Sequence, residues 1–322
     1  MSALVRPVTA DEVRTLHVAG VVRLRSILNL AFVNDLRRCI DEAAESLFQS
    51  AAGYDLTFLT HAAEAADAAI LRSQSNGQHD IAGIVDYIRQ SGNPLLFDEP
   101  AKANGSFLLD TGVAARHSRF QQICTRGVIP EIAGALLESA RVNFFGDQIF
   151  VKEPGTRERT AFHQDASYFE IEGDQCCVMW IPVDPVTAES GGMKYWRGSH
   201  REKHIYAPNV FVSRTPLPGS EGDLVPDIET HPENFDIVQF NVEPGDILVH
   251  HYRTVHGSGG NLSRYQVRRA ASLRYCGDDI RFKTRPSAPR QLHHTTRLQD
   301  GDVLSGPDFP VVWSRSKSRD AA

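Results

Sequence analysis

Two different hydrophobic periods divide the chain near residue 140. In the first part, apolar residues recur at intervals of three and four, which is the period of an α-helix with one buried face. The clearest set is Val33, Leu36, Ile40, Ala43 and Leu47. After Arg141 the chain changes to short runs rich in β-branched and aromatic residues, separated by Gly, Pro and Asp. Such runs are typical of an antiparallel sandwich or barrel and not of βαβ units.

Local signals place several helix boundaries before residue 140. Thr9, with Glu12 three residues later, has the pattern of a capping box, and Gly20 is suited to end the helix that follows. Two further helical sets are predicted, at 81–88 and, with an interruption near Pro130, at 120–136.

The pattern of apolar runs and turn residues also predicts the strands and one long loop. Strands are predicted at 21–25, 147–152, 175–183, 193–196, 236–241, 246–252 and 267–275. Residues 207–234 carry many Pro, Gly and acidic residues, which predicts a long surface loop. We therefore expect a mainly β fold with flanking helices, in which a mostly helical part over 1–140 buttresses a β core over 141–313 and 314–322 form a tail.

Composition narrows the class of protein. The 322 residues carry 34 basic and 40 acidic side chains, a net charge of −6 without a basic stripe, which argues against a nucleic-acid partner. No apolar run approaches the ~18–20 residues of a membrane span, and the first residues lack a secretory apolar segment. The five cysteines are odd in number and form no CxxC, so neither a disulfide framework nor a thiolate zinc site is indicated. We expect a cytoplasmic protein.

Candidate chemistry begins at His163-Gln-Asp165. On a strand, side chains at i and i+2 leave the same face, so one metal ion can accept both the imidazole and the carboxylate. His256 ends a second strand-like run and is followed by the glycine-rich Gly257–Gly260. Two imidazoles and one carboxylate on one side of a metal are the ligand set of non-haem Fe(II) oxygenases, although zinc also accepts such a set.

Arg268 follows His256 by twelve residues, on the next alternating run. A guanidinium can hold a carboxylate through two parallel hydrogen bonds. The order His-x-Asp, His, Arg is what a 2-oxoglutarate-dependent oxygenase requires. His251 has two alternative roles: it can hydrogen-bond a metal ligand and so support it, or it can be a hydrogen-bonded core histidine.

Further stretches carry a family resemblance. They are Asp147–Gly155, Phe162–Asp165, Trp180–Pro185, Glu189–Gly192, Gly198–His200, Glu243–Asp246, His256–Gly259, Arg268–Ala270 and Asp308–Trp313. On these motifs the chain resembles the phytanoyl-CoA dioxygenase family of Fe(II)- and 2-oxoglutarate-dependent oxygenases. The resemblance covers residues 141–313 well and the helical part loosely.

The resemblance implies a single oxygenase domain over 1–322 with a double-stranded β-helix core, a cupin-like jelly roll. It implies that His163, Asp165 and His256 are iron ligands and that Arg268 binds 2-oxoglutarate, with O2 as the second cosubstrate. Matching positions that line the cosubstrate pocket in relatives are Trp180, Ser258, Gln148 and Lys152. Substrate-facing candidates are Tyr168, Phe169, Lys194 and Trp196.

Two departures from the family pattern matter. The spacing from His256 to Arg268 is one residue longer than usual, so Arg269 competes with Arg268. The face that Arg269 shares with Ala271, Leu273 and Tyr275 is the more apolar one, whereas small Ala270 and Ser272 beside Arg268 leave space for a cosubstrate. The family's Arg-x-Ala motif selects Arg268. The stretch 51–105 is longer than in relatives, which suits a substrate lid that orders on binding or a contact in a homo-oligomer.

The implied function is hydroxylation of an unactivated carbon of a small-molecule metabolite, with release of succinate and CO2. Alternatives on the same centre are desaturation, ring closure and endoperoxide formation. A cupin-like zinc or manganese hydrolase or isomerase would not need Arg268. A catalytically silent metal-binding or sugar-binding jelly roll would not need the complete set of ligands. The sequence does not encode the substrate.

Overall fold

The computed structural model describes residues 3–47, 50, 53–57, 105–202, 204–209, 211–212, 214, 216–217, 220, 222–285, 288 and 294–315. The predicted helix at 81–88 and nearly all of the predicted lid at 51–105 lie outside these residues. No helix in the described part of the chain has the length and apolar composition needed to cross a membrane. All five cysteines are buried free thiols.

The helices follow their sequence signals closely. Helix α1 (Ala10–Ala19) has the complete capping box: Glu12 N donates to Thr9 Oγ1 at 3.2 Å and Thr9 N donates to Glu12 Oε2 at 2.9 Å. Gly20 ends it with a φ of 74°, in the left-handed region that glycine adopts at little cost. Helix α2 (Leu30–Glu45) buries Val33, Leu36, Ile40 and Ala43 of the predicted apolar face, and Leu47 is buried just beyond its end.

The interruption between the next two helices lies earlier than predicted. Helix α3 (Ser118–Thr125) and helix α4 (Val128–Leu137) are separated at Arg126 and Gly127. Pro130 lies in the first turn of α4 and does not break the helix, because the N–H that proline lacks would have had no partner inside a first turn.

Fourteen strands are found in the described residues. They are β1 (Val21–Leu24), β2 (Gly53–Asp55), β3 (Phe107–Thr111), β4 (Arg141–Lys152), β5 (Thr160–His163), β6 (Ile171–Glu172), β7 (Cys176–Pro182), β8 (Met193–Trp196), β9 (Ile237–Gln239), β10 (Ile247–His251), β11 (His256–Ser258), β12 (Arg268–Cys276), β13 (Arg281–Phe282) and β14 (Val311–Ser314). Each of the seven predicted strands is present: 193–196 has the predicted ends, and the ends of the other six differ from the prediction by at most six residues.

Two antiparallel sheets face each other. The larger has the order β1-β10-β7-β12-β4-β3-β2 with β14 beside β4, and the smaller has the order β5-β11-β8-β9. This arrangement is the predicted jelly roll, so the expected fold class is confirmed. The short β6 and β13 pair with each other at one end.

The large sheet is buried on both faces. Side chains of one face, including Ala271, Leu273 and Tyr275, pack with helices α2, α3 and α4 in the main hydrophobic core. The opposite face looks into the jelly roll, where Trp180, Leu248 and Ala270 pack with residues of β8. The helices therefore hold the large sheet from behind while its other face is free to line a site.

The predicted loop at 207–234 differs from expectation in its burial. Among its described residues only Pro232–Asn234 form a short 3-10 turn. Asn209 is buried, and its side-chain amide donates to the Phe162 carbonyl at 3.0 Å. The Ala161 N–H donates to the Phe211 carbonyl at 2.7 Å. This part of the loop therefore adds to strand β5 and covers the open end of the jelly roll.

Candidate metal and cosubstrate site

Three side chains converge at the open end of the small sheet. His163 ends β5 and His256 begins β11, and the two residues are direct cross-strand partners. Asp165 lies between the imidazoles, with Oδ1 at 3.9 Å from His163 Nε2 and Oδ2 at 3.9 Å from His256 Nε2. One candidate ligand atom from each residue lies within 4.8 Å of the other two. A single metal ion can contact all three.

Asp165 does not lie on a strand, although its side chain was predicted to share a strand face with that of His163. Strand β5 ends at His163, and Asp165 begins a 3-10 turn over Asp165–Ser167. The Ala166 N–H donates to the Tyr252 carbonyl at 2.9 Å. The turn, and not the pleat of a strand, therefore brings the carboxylate back beside His163.

Backbone carbonyls fix the orientation of both imidazoles. His163 Nδ1 lies 2.8 Å from the Ala161 carbonyl oxygen, and His256 Nδ1 lies 2.9 Å from the Thr254 carbonyl oxygen. Because a carbonyl oxygen can only accept, each ring carries its proton on Nδ1 and presents the bare Nε2 to the centre. Such outer partners set the tautomer and ring angle of metal-binding histidines.

The electrostatics suit metal binding. Burial, together with the nearby His256, lowers the pKa of His163 to about 4, and burial with the nearby His250 lowers the pKa of His256 to about 4. Both rings are therefore neutral at neutral pH, the form that binds metals. Burial alone would raise the pKa of Asp165, but His256 and His250 hold it below its ordinary value. The site thus offers two neutral nitrogens and one carboxylate.

Two buried cations lie next to this triad. Arg268 and Lys152 are cross-strand partners on β12 and β4. Arg268 Nη2 donates to Ser258 Oγ at 3.3 Å and to the Gly191 carbonyl at 3.2 Å. Lys152 Nζ donates to the same Ser258 Oγ at 3.1 Å and to the Gly259 carbonyl at 2.8 Å. The guanidinium carbon also lies 5.5 Å from the centre of the Trp180 ring.

Neither cation forms an ion pair with a carboxylate of the described residues. Burial lowers the pKa of Arg268 to about 10, and burial with the neighbouring Arg268 lowers the pKa of Lys152, offset in part by Glu158. The Nε–H of Arg268 is buried without a hydrogen-bond partner in the same set of residues. Two buried cations without a carboxylate ion-pair partner among the described residues are costly, so the pocket is suited to an anionic ligand.

Arg269 lies on the opposite face of β12. Its guanidinium binds both oxygens of Asp184, with Nη2 to Oδ1 at 2.7 Å and Nε to Oδ2 at 2.9 Å, and Nη1 lies 2.7 Å from Asp41 Oδ1. These hydrogen bonds raise its pKa further above the ordinary arginine value. Arg269 thus links the sheet to α2 and does not line the pocket.

Trp180, Gln148 and Ser258 also line this pocket. Gln148 Nε2 donates to Thr111 Oγ1 at 3.2 Å, and its carbonyl oxygen accepts from the buried Arg274. Both ends of the Gln148 amide are therefore engaged by protein groups. The full lining of the pocket is Gln148, Phe150, Thr160, His163, Asp165, Trp180, Met193, Phe211, His250, His256, Ser258, Arg268 and Ser272.

The four substrate-facing candidates do not line the pocket. The hydroxyl of Tyr168 donates to Asn209 and accepts from the Asn209 N–H at 2.8 Å, which anchors the 207–234 loop. Phe169 packs in a separate cluster, with its ring centre 5.0 Å from that of Phe145.

In strand β8 the inward-facing side chains are Met193 and Tyr195, and not the predicted Lys194 and Trp196. Met193 and Tyr195 point into the jelly roll and are buried, whereas Lys194 and Trp196 are only half-buried. Trp196 packs edge-on against Phe235 at 4.9 Å on the other side. Successive strand residues face opposite sides, so Lys194 and Trp196 leave the pocket together.

Sequence reasoning missed an aromatic pair over the triad. Phe211 has its ring centre 5.1 Å from that of His163 and 6.0 Å from that of Phe150. Its φ of 71° is uncommon for a bulky residue. No local pattern in the sequence marks Phe211, because its place over the pocket depends on long-range pairing of the loop with Ala161.

The arrangement supports a defined chemistry. His163, Asp165 and His256 would supply three protein ligands to a metal, and a metal held in this way would have further coordination positions for other molecules. Arg268 and Ser258 line the pocket and can hold the carboxylate of a molecule that reaches those positions. Lys152 does not line the pocket among the described residues; it lies behind Ser258, to which its Nζ donates, and adds a buried positive charge there. The aromatic rings of Phe150, Phe211 and Trp180 exclude water around them.

Comparison with known proteins extends this description. A family model described as phytanoyl-CoA dioxygenase matches residues 16–270. A protein named probable phytanoyl-CoA dioxygenase from Caenorhabditis elegans is 27% identical over 123 residues, and this match spans 38% of our chain and 38% of that protein.

Solved structures share the fold at low sequence identity. The 2-oxoglutarate-dependent carbocyclase SnoK from nogalamycin biosynthesis is 19% identical, with a TM-score of 0.61 over 97% of our chain and 100% of that chain. The epimerase SnoN, in complex with Fe3+, alpha ketoglutarate and nogalamycin RO, is 17% identical, with a TM-score of 0.61 over 94% of our chain and 98% of that chain.

Proposed function

The chain belongs to the phytanoyl-CoA dioxygenase family, and from this we propose that it is an Fe(II)- and 2-oxoglutarate-dependent oxygenase that hydroxylates an unactivated carbon of a small-molecule metabolite. The observation that carries the proposal is the pair of buried cations, Arg268 and Lys152, beside a buried His163-Asp165-His256 triad. A hydrolase with the same triad would have no use for them.

The residues present fit the proposed groups. Two imidazole nitrogens and one carboxylate oxygen are the donor set that non-haem Fe(II) oxygenases use. A dicarboxylic keto acid that binds such a metal by its keto-acid end has a second carboxylate for Arg268 and Ser258. When bound, iron and 2-oxoglutarate together supply the activation of O2, with 2-oxoglutarate leaving as succinate and CO2.

The protein contributes position and a dry environment. His163 and His256 are held by the Ala161 and Thr254 carbonyls, so little reorganisation is needed when a metal binds. Arg268 forms a bidentate partner for a carboxylate, and Lys152 adds a second positive charge. Phe211 and Phe150 cover the space above the triad, which protects reactive species from water.

The fold relatives include a carbocyclase and an epimerase, so ring closure and epimerisation are the alternatives to hydroxylation on the same centre. They differ in product mass. Hydroxylation adds one oxygen atom to the substrate, ring closure or desaturation removes two hydrogens, and epimerisation leaves the mass unchanged.

The test has two stages. Protein loaded with Fe(II) is mixed with 2-oxoglutarate and O2, and succinate is measured; candidate metabolites are then screened for acceleration of succinate release, with product mass read on each positive. We expect slow succinate formation without substrate and a product that gains one oxygen. An Fe(II)-loaded protein that forms no succinate would overturn the oxygenase proposal. A product of unchanged or smaller mass would replace hydroxylation with one of the alternatives.

A further inference from the structure

A third histidine of the pocket lining contacts the triad. His250 lies on β10 and is 2% exposed. Its Nε2 is 3.1 Å from Asp165 Oδ2, and its ring centre is 4.3 Å from that of His256 and 5.3 Å from that of Tyr195. No sequence signal marked His250, whereas its neighbour His251 was a candidate support for the metal ligands.

His250 carries its ring proton on a different nitrogen from the two candidate ligands, His163 and His256. The ionised Asp165 carboxylate can only accept, so Nε2 of His250 carries the proton and donates it to Oδ2. His163 and His256 donate from Nδ1 to the backbone and leave Nε2 bare. His250 therefore presents a donor to the triad where the other two present lone pairs, and it is built to hold a ligand instead of binding the metal.

The contact with His250 makes the two carboxylate oxygens of Asp165 unequal. Oδ2 accepts from His250, whereas no donor among the described residues contacts Oδ1. The hydrogen bond prevents rotation of the carboxylate and leaves Oδ1 as its free oxygen. A carboxylate restrained in this way binds a metal through one oxygen, which keeps a coordination position available that a two-oxygen mode would occupy.

We propose that His250 is a positioning residue that orients Asp165 for single-oxygen metal binding through its Nε2–H···Oδ2 hydrogen bond. This inference rests on the proposed function, since it assumes a metal at the triad. Loss of an outer hydrogen-bond partner of a metal ligand lowers metal affinity or activity by about 10–100-fold in characterised metal sites. We expect an effect of that size here.

His251 provides a matched control on the same strand. Its side chain points to the other face of the sheet, where Nε2 lies 2.8 Å from the Asp174 carbonyl and Nδ1 accepts from the Arg253 N–H at 3.1 Å. Replacing His251 removes a half-buried histidine and its hydrogen bonds from β10 without touching Asp165. An effect confined to His250 variants therefore reports on the triad and not on the packing of the strand.

The experiment measures Co(II) affinity and the visible Co(II) spectrum of the full-length protein without 2-oxoglutarate. His250→Phe keeps a ring of similar size but removes the donor. His250→Gln keeps an N–H donor that can reach Asp165. His250→Met is a second variant without a donor, used under the same criteria if His250→Phe does not fold, and His251→Gln is the control.

We expect His250→Phe to weaken Co(II) binding at least tenfold and to change the Co(II) spectrum, with His250→Gln and His251→Gln within about threefold of wild type. His250→Phe with wild-type affinity and spectrum would overturn the inference, as would a His250→Gln variant as weak as His250→Phe. Failure of the wild-type protein to bind Co(II) would instead count against the metal centre of the proposed function, so the two failures are distinguishable.

Discussion

Arg268 gives the sharpest prediction for the cosubstrate. It is 1% exposed, its Nε–H has no partner among the described residues, and its two hydrogen bonds, to Gly191 and Ser258, are long at 3.2 and 3.3 Å. Most N–H donors of the Arg268 guanidinium therefore have no strong hydrogen bond among the described residues. A carboxylate that binds this guanidinium would form a buried, charge-assisted pair.

The magnitude follows from the burial of that pair. Truncating one partner of a buried hydrogen-bonded charge pair costs about 2–5 kcal/mol. Lys152 remains as a second cation in Arg268→Ala, so we expect the lower end of the range. At ~1.4 kcal/mol per decade, about 2 kcal/mol is a roughly 30-fold weaker affinity for 2-oxoglutarate.

The assay is calorimetric titration of 2-oxoglutarate into Mn(II)-loaded protein, which avoids turnover. The matched control is Arg269→Ala, which removes the adjacent guanidinium from the outer face, where it binds Asp184 and Asp41. We expect Arg269→Ala to lower stability and to leave 2-oxoglutarate affinity within about threefold of wild type, since about 0.7 kcal/mol or less is at stake.

Thermal unfolding supplies an independent reading. At one hundred times its Kd, a ligand stabilises the folded state by about 2.7 kcal/mol. The same concentration is only about three times the Kd of a 30-fold weaker variant and stabilises it by about 0.9 kcal/mol. Wild-type affinity in Arg268→Ala, or the larger loss in Arg269→Ala, would refute the assignment of the inner face of β12.

Three further predictions test other parts of the structure. Asp165→Ala should lose most of its Fe(II) and its succinate formation, because two imidazoles alone do not fix metal geometry; wild-type iron content would remove Asp165 from the site. Lys152→Met should bind 2-oxoglutarate about tenfold more weakly, because Ser258 loses the hydrogen bond that orients its hydroxyl and a hydrogen bond to a charged group contributes about 1.5–3 kcal/mol. Because burial lowers the pKa of Lys152 below 10.5, the unfolded chain binds the additional proton, so the contribution of Lys152 to the stability of the ligand-free protein should become more favourable as the pH rises towards 10.5. The difference in pH-dependent melting between the wild type and Lys152→Met isolates this contribution. Gly134→Ala should lower the melting temperature despite the higher helix propensity of alanine, because the new Cβ would lie 2.5 Å from the Trp313 ring; an unchanged or higher value would contradict the close packing of α4 on β14.

The β12 strand shows why the sequence pattern alone favoured the other arginine. The more apolar face, with Ala271, Leu273 and Tyr275, packs against helices. The inner face carries Arg268 and Ser272 because it lines the pocket. In a sheet buried on both sides, hydrophobicity marks the face that meets the helices, and the polar face belongs to the site. Small residues and the family motif carried the information that periodicity lacked.

Local sequence predicted those features that depend on local interactions. The capping box at Thr9 and the amphipathic face of α2 require only neighbouring residues, and both are present. The parity of β8 required the position of the partner strands, so Lys194 and Trp196 were selected where Met193 and Tyr195 face inward.

Residues that act through tertiary contacts left no local signal. His250 and His251 are adjacent, and only the pairing of β10 with β1 and β7 decides which one faces Asp165. Phe211 covers the triad through a loop whose sequence predicted only a surface position. Such contacts are fixed by long-range packing and cannot be read from spacing along the chain.

The central claim is that one pocket binds Fe(II) and 2-oxoglutarate together. The most direct measurement is the anaerobic visible spectrum of the protein with Fe(II), before and after addition of 2-oxoglutarate. We expect a weak charge-transfer band that appears only when both are present, is absent in Asp165→Ala, and requires roughly 30-fold more 2-oxoglutarate in Arg268→Ala. An Fe(II)-loaded wild-type protein that gains no band at saturating 2-oxoglutarate would contradict it.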